Sequence, residues 1–394
     1  MKRFHFCEII LALLITYSLR AEVVLENKIR FNYFPVDNLI EHSTQSEAAI
    51  HNRIKASALF RNEKDNLLFE SYIGIHPTFE NRFSLDIPRF SYTFNTDLWE
   101  IKGGLETFNW GVLETVSLSD FINSRDHRAE LPEGRKLGQP FLSLERVFLD
   151  EELEFQLTYL PYFRVPLYRK NPDRFTVLLN QPETKYYKTE KTPKSFTFRV
   201  LKTLNQIDWT GYYFYGKNRI PELELYQVTL QGPEFNLVNL YTQILGSTIQ
   251  ATFESFILKA EVLNKQDEDA KHYWQYGYGG EYIIPAFWGP ADLNLITEYY
   301  FDSRSDSGIN WMQNDLSLGL KVSLNDYSLS ELELAYIRDL EFNSQVTRCE
   351  FNRLIGSNWK AGVQSLFFKI EDSQDVLHGF KFDTMLSLSL THTY

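Results

Sequence analysis

The chain has 394 residues, of which 15% are aromatic and 23% charged, and its formal net charge is −12. So acidic a chain is a poor partner for nucleic acid. After the first twenty or so residues it has no long uncharged apolar run, which excludes helical membrane spans.

The N-terminus reads MKRFHFCEIILALLITYSLRAEVV. Lys2 and Arg3 form a positive n-region, Ile9 to Ile15 a short apolar h-region, and Ser18-Leu19-Arg20-Ala21 a cleavage site. The apolar run is too short to span a bilayer as a helix. Residues 1–21 are therefore expected to be a cleaved signal peptide for export. Removing them takes away Lys2, Arg3 and Arg20 against Glu8, so the net charge moves from −12 to −14. Cys349 is then the sole cysteine, and no intrachain disulfide holds the mature chain.

From there the dominant signal is strict alternation. Ile54, Ala56, Ala58 and Phe60 oppose Lys55 and Ser57, and Leu153, Phe155, Leu157 and Tyr159 oppose Glu152, Glu154, Gln156 and Thr158. Phe256, Leu258, Ala260 and Val262 oppose Lys259 and Glu261. The cleanest case is Leu316, Leu318, Leu320, Val322 and Leu324 against Asp315, Ser317, Gly319, Lys321 and Ser323. Side chains along a strand point alternately to opposite faces, so each segment has one oily and one polar face. Segments of about ten such residues between turns are the mark of a transmembrane barrel.

The pattern predicts strands near 23–33, 50–61, 66–76, 82–94, 97–109, 140–149, 152–161, 194–204 and 207–216. It continues with 236–252, 255–265, 272–284, 290–302, 313–325, 329–338, 343–355, 358–371 and 379–394. Turn signals such as Asn95-Thr96-Asp97, Asn325-Asp326 and Gly356-Ser357-Asn358 separate them. With both termini on one side the strand number is even, which gives about 18, with 16 as the alternative. The predicted fold is all-β: residues 22–394 form one transmembrane, antiparallel, up-and-down β-barrel with short periplasmic turns and long extracellular loops. The same parity puts 110–139, 162–193 and 217–235 on the outer side. A soluble sandwich alternates too, but one soluble core seldom grows to such a length.

The chain closes on an alternating strand, with Phe382, Leu386, Leu388, Leu390 and Tyr394 on one face. A terminal aromatic after alternating apolar residues resembles the signal read by the barrel-assembly machinery of Gram-negative bacteria. That resemblance implies the bacterial outer membrane as the location, with outer-membrane lipid, lipopolysaccharide and the assembly machinery as partners.

Residues 104–126 read GLETFNWGVLETVSLSDFINSRD. This resembles a segment of a widespread group of poorly characterised proteobacterial outer-membrane barrels and porin-like proteins, which carries a glycine, a Trp-Gly pair, an Asp and then Asn-Pro-Arg-Asp. The matching positions are Gly104, Trp110, Gly111, Asp120, Asn123, Arg125 and Asp126. Leu105 and Glu106 stand where Arg-Gln is common, and Ser124 replaces the proline. Apart from the resemblance, Trp110, Val112, Leu113, Val116, Leu118, Phe121 and Ile122 make this loop too apolar to stand in water. An 18-stranded barrel is too wide for wall side chains alone to fill. The loop is therefore expected to fold inward as a constriction.

The second long loop is basic and aromatic. From Arg164 to Lys194 it carries eight cations, among them Arg164, Arg169, Lys170 and Arg174, against Asp173, Glu183 and Glu190. It is expected to meet either an anionic or sugar-like ligand or the phosphates of lipopolysaccharide.

Catalytic chemistry is hard to find. There is no G-x-S-x-G, H-E-x-x-H, C-x-x-C or P-loop. His127, beside Asp126, is the one histidine in a plausible site context, and it has no evident nucleophile. Glu152, Glu154, Asp292, Glu298 and Asp315 are expected to be solvated wall residues paired with Arg or Lys. No cofactor and no metal site is expected. The functional expectation is an outer-membrane channel for passive or facilitated diffusion of small hydrophilic solutes. A non-conducting adhesin or structural barrel is the alternative, and a barrel hydrolase the third.

Overall fold

The computed structural model describes residues 20–36, 45–60, 64–76, 83–128, 130–169, 174–175, 194–229, 232–268, 272–304 and 312–394. Residues 1–19 of the expected signal peptide, Lys170, and residues 176–193 of the second long loop lie outside these. The strands in chain order are β1 (Arg20–Tyr33), β2 (Ser46–Phe60), β3 (Asp65–Ile75), β4 (Phe83–Asn95), β5 (Glu100–Glu106), β6 (Arg125–Asp126), β7 (Arg135–Lys136) and β8 (Gln139–Phe148). Next come β9 (Leu153–Leu160), β10 (Ser195–Leu204), β11 (Ile207–Lys217), β12 (Glu222–Thr229), β13 (Gly232–Val238), β14 (Tyr241–Phe253) and β15 (Phe256–Asp267). The last are β16 (His272–Trp288), β17 (Ala291–Asp302), β18 (Asn314–Ser323), β19 (Glu331–Asp339), β20 (Gln345–Ile355), β21 (Trp359–Lys369) and β22 (Met385–Thr393).

Eighteen of these form one antiparallel sheet, while β6–β7 and β12–β13 are separate two-stranded hairpins within connections. Neighbours in the chain pair throughout, β5 with β8 and β11 with β14 across the excursions. The sheet closes on itself where β1 pairs with β22, Ile29 opposite Leu390 and Phe31 opposite Leu388. Closure removes both free edges, so every strand backbone finds a partner without water. This is a closed 18-stranded up-and-down barrel, and the 16-strand alternative falls away.

The alternation sorts as strand geometry requires. Leu386, Leu388 and Leu390 face outward, while Ser387 on the opposite parity is buried inside. Leu142, Leu157, Leu245, Leu258 and Leu318 continue the outer band on other strands. Exposed aromatics ring both ends: Tyr33, Phe83 and Trp274 at one, Trp288, Trp359 and Tyr394 at the other. Such girdles place amphipathic rings at the membrane–water boundaries. The termini and the tight connections share one end. There, Glu152, Asn205, Glu254, Gly289, Asn325 and Gly356 take positive φ to turn the chain. The long connections share the other end, which in outer-membrane barrels faces outward.

Several expected boundaries move, three of them where the chain leaves the sheet for another partner. The closing strand begins at Met385 rather than before Phe382, because a 3-10 turn over Val376–Phe380 delays its entry and leaves Phe382 short of the sheet. The strand expected from 236 starts at Tyr241, since Gly232–Val238 pairs instead with β12 as a hairpin. β5 ends at Glu106, not 109, because the chain turns inward there. The main apolar core accordingly lies inside the barrel, where Phe108, Trp110, Phe121 and Ile122 of the incoming loop pack on Phe141, Leu160, Tyr212, Phe214, Ile244 and Leu263 of the wall.

Candidate functional site

The connection 107–138 is the structure's main internal feature. It leaves β5, crosses the lumen and reaches β17, eight strand positions round a ring of eighteen. Its departure depends on glycine. Gly104 has φ +134, and a Cβ there would stand 1.9 Å from the carbonyl oxygen of Phe90. At Gly111 a Cβ would collide with Ser117 Oγ at 1.5 Å and with Glu261 Oε1 at 2.8 Å. Trp110 between them sits edge-on to Phe121 at 5.9 Å and against Tyr212 at 5.4 Å.

Two wall carboxylates hold the crossing. Glu261 of β15 accepts from the backbone N–H of Val112 at 2.6 Å, Leu113 at 3.0 Å and Ser119 at 2.8 Å. Glu298 of β17 accepts from Glu114 N at 2.7 Å and Thr115 N at 2.9 Å. Tyr300 Oη accepts from Val116 N at 3.0 Å and donates to Glu298 Oε2 at 2.7 Å. An irregular segment in a lumen must find partners for its N–H groups, and ionised carboxylates are strong acceptors for them. Glu298 was expected to be a solvated wall residue paired with a cation. It is instead buried at 1% exposure beneath the loop. Glu152 and Asp292 also depart from that expectation. Glu152 lies in the β8–β9 turn, and Asp292 accepts from Ala286 N and Asn325 Nδ2, both at 2.8 Å.

The resemblance residues form the loop's internal clasp. Asn123 Oδ1 accepts from Phe108 N at 2.9 Å, and Asn123 Nδ2 donates to Asp120 Oδ1 at 2.7 Å. Asp120 Oδ2 also takes Arg125 at 2.7 Å and Lys136 at 2.9 Å. Asp126 takes Arg128 at 2.9 Å. β6 pairs with β7 through Arg125 opposite Lys136 and Asp126 opposite Arg135. Arg135 reaches Asp86 of β4 at 2.6 Å. Beyond this hairpin the tip turns to the opposite wall, where Glu130 meets Arg53 at 3.2 Å and Glu133 meets Arg348 at 2.7 Å. The loop is thus held on both sides of the barrel.

The described part of the second long loop packs on the first. Leu167 N donates to Arg125 O at 2.9 Å and His127 N to Leu167 O at 2.8 Å. The rings of His127 and Tyr168 stack at 4.9 Å. Burial, with the positive Arg125 beside it, lowers the His127 pKa to about 4. Among the described residues no serine or cysteine hydrogen-bonds its ring, and no group of three His, Cys, Asp or Glu has metal-binding geometry. Three of the described basic residues, Arg164, Arg169 and Arg174, point inward to partners within the chain. Arg164 pairs with Asp86 at 2.7 Å and Arg169 with Glu47 at 2.8 Å. Arg174, wholly buried, donates to Phe382 O and Val36 O, both at 2.8 Å, and lies 3.6 Å from Asp383. Burial raises the Asp383 pKa to about 6, against the opposing pull of the Phe175 N–H and Arg174.

Between the loop tip and the wall of β1, β20, β21 and β22 lies a polar cavity of about 160 Å³. Lys28, Arg30, Glu130, Arg348, Glu350 and Ser389 are among its lining residues. A smaller space of about 10 Å³ shares Arg30 and Glu130 with it and extends to Asn32, His51 and His76.

No family model matches this chain, and no curated protein matches it in sequence. Solved structures do match in shape. OccAB3 of Acinetobacter baumannii is 8% identical with a TM-score of 0.55, over 95% of this chain and 99% of that one. OccK2 (OpdF) of Pseudomonas aeruginosa, solved with glucuronate, is 9% identical with a TM-score of 0.55, over 96% and 98%. Wzi of Escherichia coli, described as a carbohydrate-binding β-barrel involved in group 1 capsule assembly, is 9% identical with a TM-score of 0.54, over 98% and 86%. At such identity the likeness is one of fold. Together with the lipid-facing band and the closed sheet, it shows an 18-stranded transmembrane barrel that shares the fold of Gram-negative outer-membrane porins.

Proposed function

We propose that the protein is a constricted outer-membrane channel for diffusion of small hydrophilic solutes. Loop 107–138 would set the constriction, and the strip of lumen beside β1 and β20–β22 the path. The observation that carries this reading is the pinning of the loop against β15 and β17 by Glu261 and Glu298, which leaves polar space on the far side. Charged groups of both signs border that space, and rings of charge at a constriction decide which ions pass. The alternating face that ends on Leu386, Leu388, Leu390 and Tyr394 would serve recognition by the assembly machinery.

Single-channel conductance of the refolded protein, beside a version lacking residues 112–136, tests the proposal. Steady openings that grow several-fold on deletion are expected. The second reading is a non-conducting barrel, plugged by its loop, whose surface binds a partner. Attachment of the loop tip to Arg53 and Arg348 favours it. Silence of the full protein in bilayers, with openings only on deletion, would establish the plug and end the channel reading.

A further inference from the structure

We propose that the outer end of β18 and β19 holds a calcium ion inside the barrel, with Asp315 and Asp339 as its carboxylate ligands. The inference goes beyond the channel reading and stands whether or not the barrel conducts.

Asp315 and Asp339 stand directly opposite each other across the β18–β19 ladder. Both lie on the inward parity of their strands, since Leu318 and Leu334 on the other parity are exposed. They are only 1% and 3% exposed. Asp315 was expected to be a solvated wall residue paired with Arg or Lys, and it is neither solvated nor paired. Asp375, 4% exposed in the connection before β22, adds a third negative charge that bears on both. Among the described residues none of the three has an ion pair, and Arg304, beyond β17, is committed to Asp302 at 2.9 Å. Their hydrogen bonds come from neutral donors. Asp315 accepts from Asn314 N at 3.1 Å, and Asp375 from Leu377 N at 2.7 Å. Asp339 accepts from Glu341 N at 2.7 Å, Phe342 N at 2.8 Å and Gln313 Nε2 at 2.6 Å. Like charges face to face across a ladder are destabilising, and a buried charge without a counterion is costly. A cation between them removes both penalties.

A second, independent observation comes from two neutral side chains at the same place. Ser344 O accepts from Asp339 N at 2.9 Å, which sets this serine beside the pair. It is 2% exposed, on the inward parity of β20, and its Oγ has no hydrogen-bond partner. Gln313 is 4% exposed and turns its amide nitrogen to Asp339, which leaves Oε1 without a partner beside the same carboxylate. Asp375 Oδ2 is a third orphaned oxygen. Buried polar atoms are rarely left unsatisfied, because each costs the loss of its hydration. Every donor here is an oxygen, the ligand type of a hard cation. Calcium accepts an irregular shell of carboxylate and amide oxygens completed by water, whereas magnesium demands near-ideal octahedral geometry. A strand pair and the turn that joins β19 to β20 supply the irregular kind.

The test is calorimetric titration of the intact barrel, refolded in detergent without lipopolysaccharide and stripped with a chelator, with calcium chloride. One saturable site is expected, with no heat from sodium chloride at equal ionic strength. D315N and D339N should each weaken calcium binding at least about tenfold, the loss typical even of residues that stand behind a metal's ligands. D372N, which removes an exposed carboxylate of the same outer connection, should leave it unchanged. Calcium should also raise the thermal midpoint of the unchanged protein and not that of D315N. A folded band on unboiled gels checks each variant. If D339N fails to fold because its carboxylate caps the turn at Glu341 and Phe342, D315N decides. Calcium heat that survives in folded D315N, or that D372N removes equally, would overturn the proposal. So would the absence of calcium heat, which would mean that a shared proton takes the cation's place. Binding needs no conduction, so a silent bilayer with intact calcium heat removes only the channel, and conduction without calcium heat removes only this site.

Discussion

His127 lies at the seam of the two long loops, its ring flat on Tyr168 and its backbone bonded to Leu167. Its ordinary pKa of 6.5 is lowered to about 4, first by burial and then by Arg125. Above pH 6.5 the ring is neutral whether the seam is closed or open. As pH falls from 6.5 towards 4, only the opened form takes up a proton, so the seam loses stability through that window and no further below it. The protection factors of the His127 and Leu167 amides, observed exchange divided into the intrinsic rate at each pH, should therefore fall between pH 6.5 and 4, and H127Q should flatten the dependence. Gly104 and Gly111 illustrate a different legibility. Both are visible in the resemblance segment, but the reason for each is a backbone or side chain that meets it only in the folded barrel. For Gly104 it is Phe90 O, and for Gly111 it is Ser117 and Glu261.

The inward loop is an element held by wall residues as well as by its own internal clasp. A carboxylate that accepts backbone N–H groups contributes about 1.5–3 kcal/mol per bond. A glutamine keeps one acceptor oxygen and turns an amide donor towards the same N–H groups. E261Q and E298Q should therefore loosen the crossing segment, and the double variant should release it. If the channel reading holds, conductance of the double variant approaches that of the protein lacking residues 112–136, with the singles between. Conductance unchanged in the double variant would mean that the apolar cluster around Trp110 and Phe121 holds the loop by itself. In the sequence, the loop's apolar content gave it a reason to leave water, whereas Asp120, Asn123 and Arg125 were visible only as positions shared with the resemblance segment, and the bonds they make to one another were not. The loop's wall partners were not visible either. Glu261 and Glu298 occupy the polar parity of their strands like any other lumen residue, and they meet the loop across separations of 142 to 184 residues. The basic loop was legible as composition only. Arg164, Arg169 and Arg174 find Asp86, Glu47 and Asp383, all distant in the chain.

For the molecule as a whole, the lipid-facing band is both its anchor and its most sensitive surface. Leu245 is 64% exposed near the middle of β14, with no neighbour inside the barrel to lose. L245R should cost about 2–4 kcal/mol by placing a charge against lipid, read as a lowered urea midpoint in vesicles. An unchanged midpoint would place that position away from the hydrocarbon. Alternation is a property of residues i and i+2, written locally and repeated in every strand, so all eighteen strands and both faces could be read from the order of residues alone. Parity then fixed which end carries the long loops, because each strand must reverse the one before. The boundaries at 106, 241 and 385 could not be read, since each depends on where the chain leaves the sheet for a partner elsewhere. The same holds for the carboxylates that pin the loop. Ring closure sets which wall faces which loop, and that juxtaposition exists only once β1 has met β22.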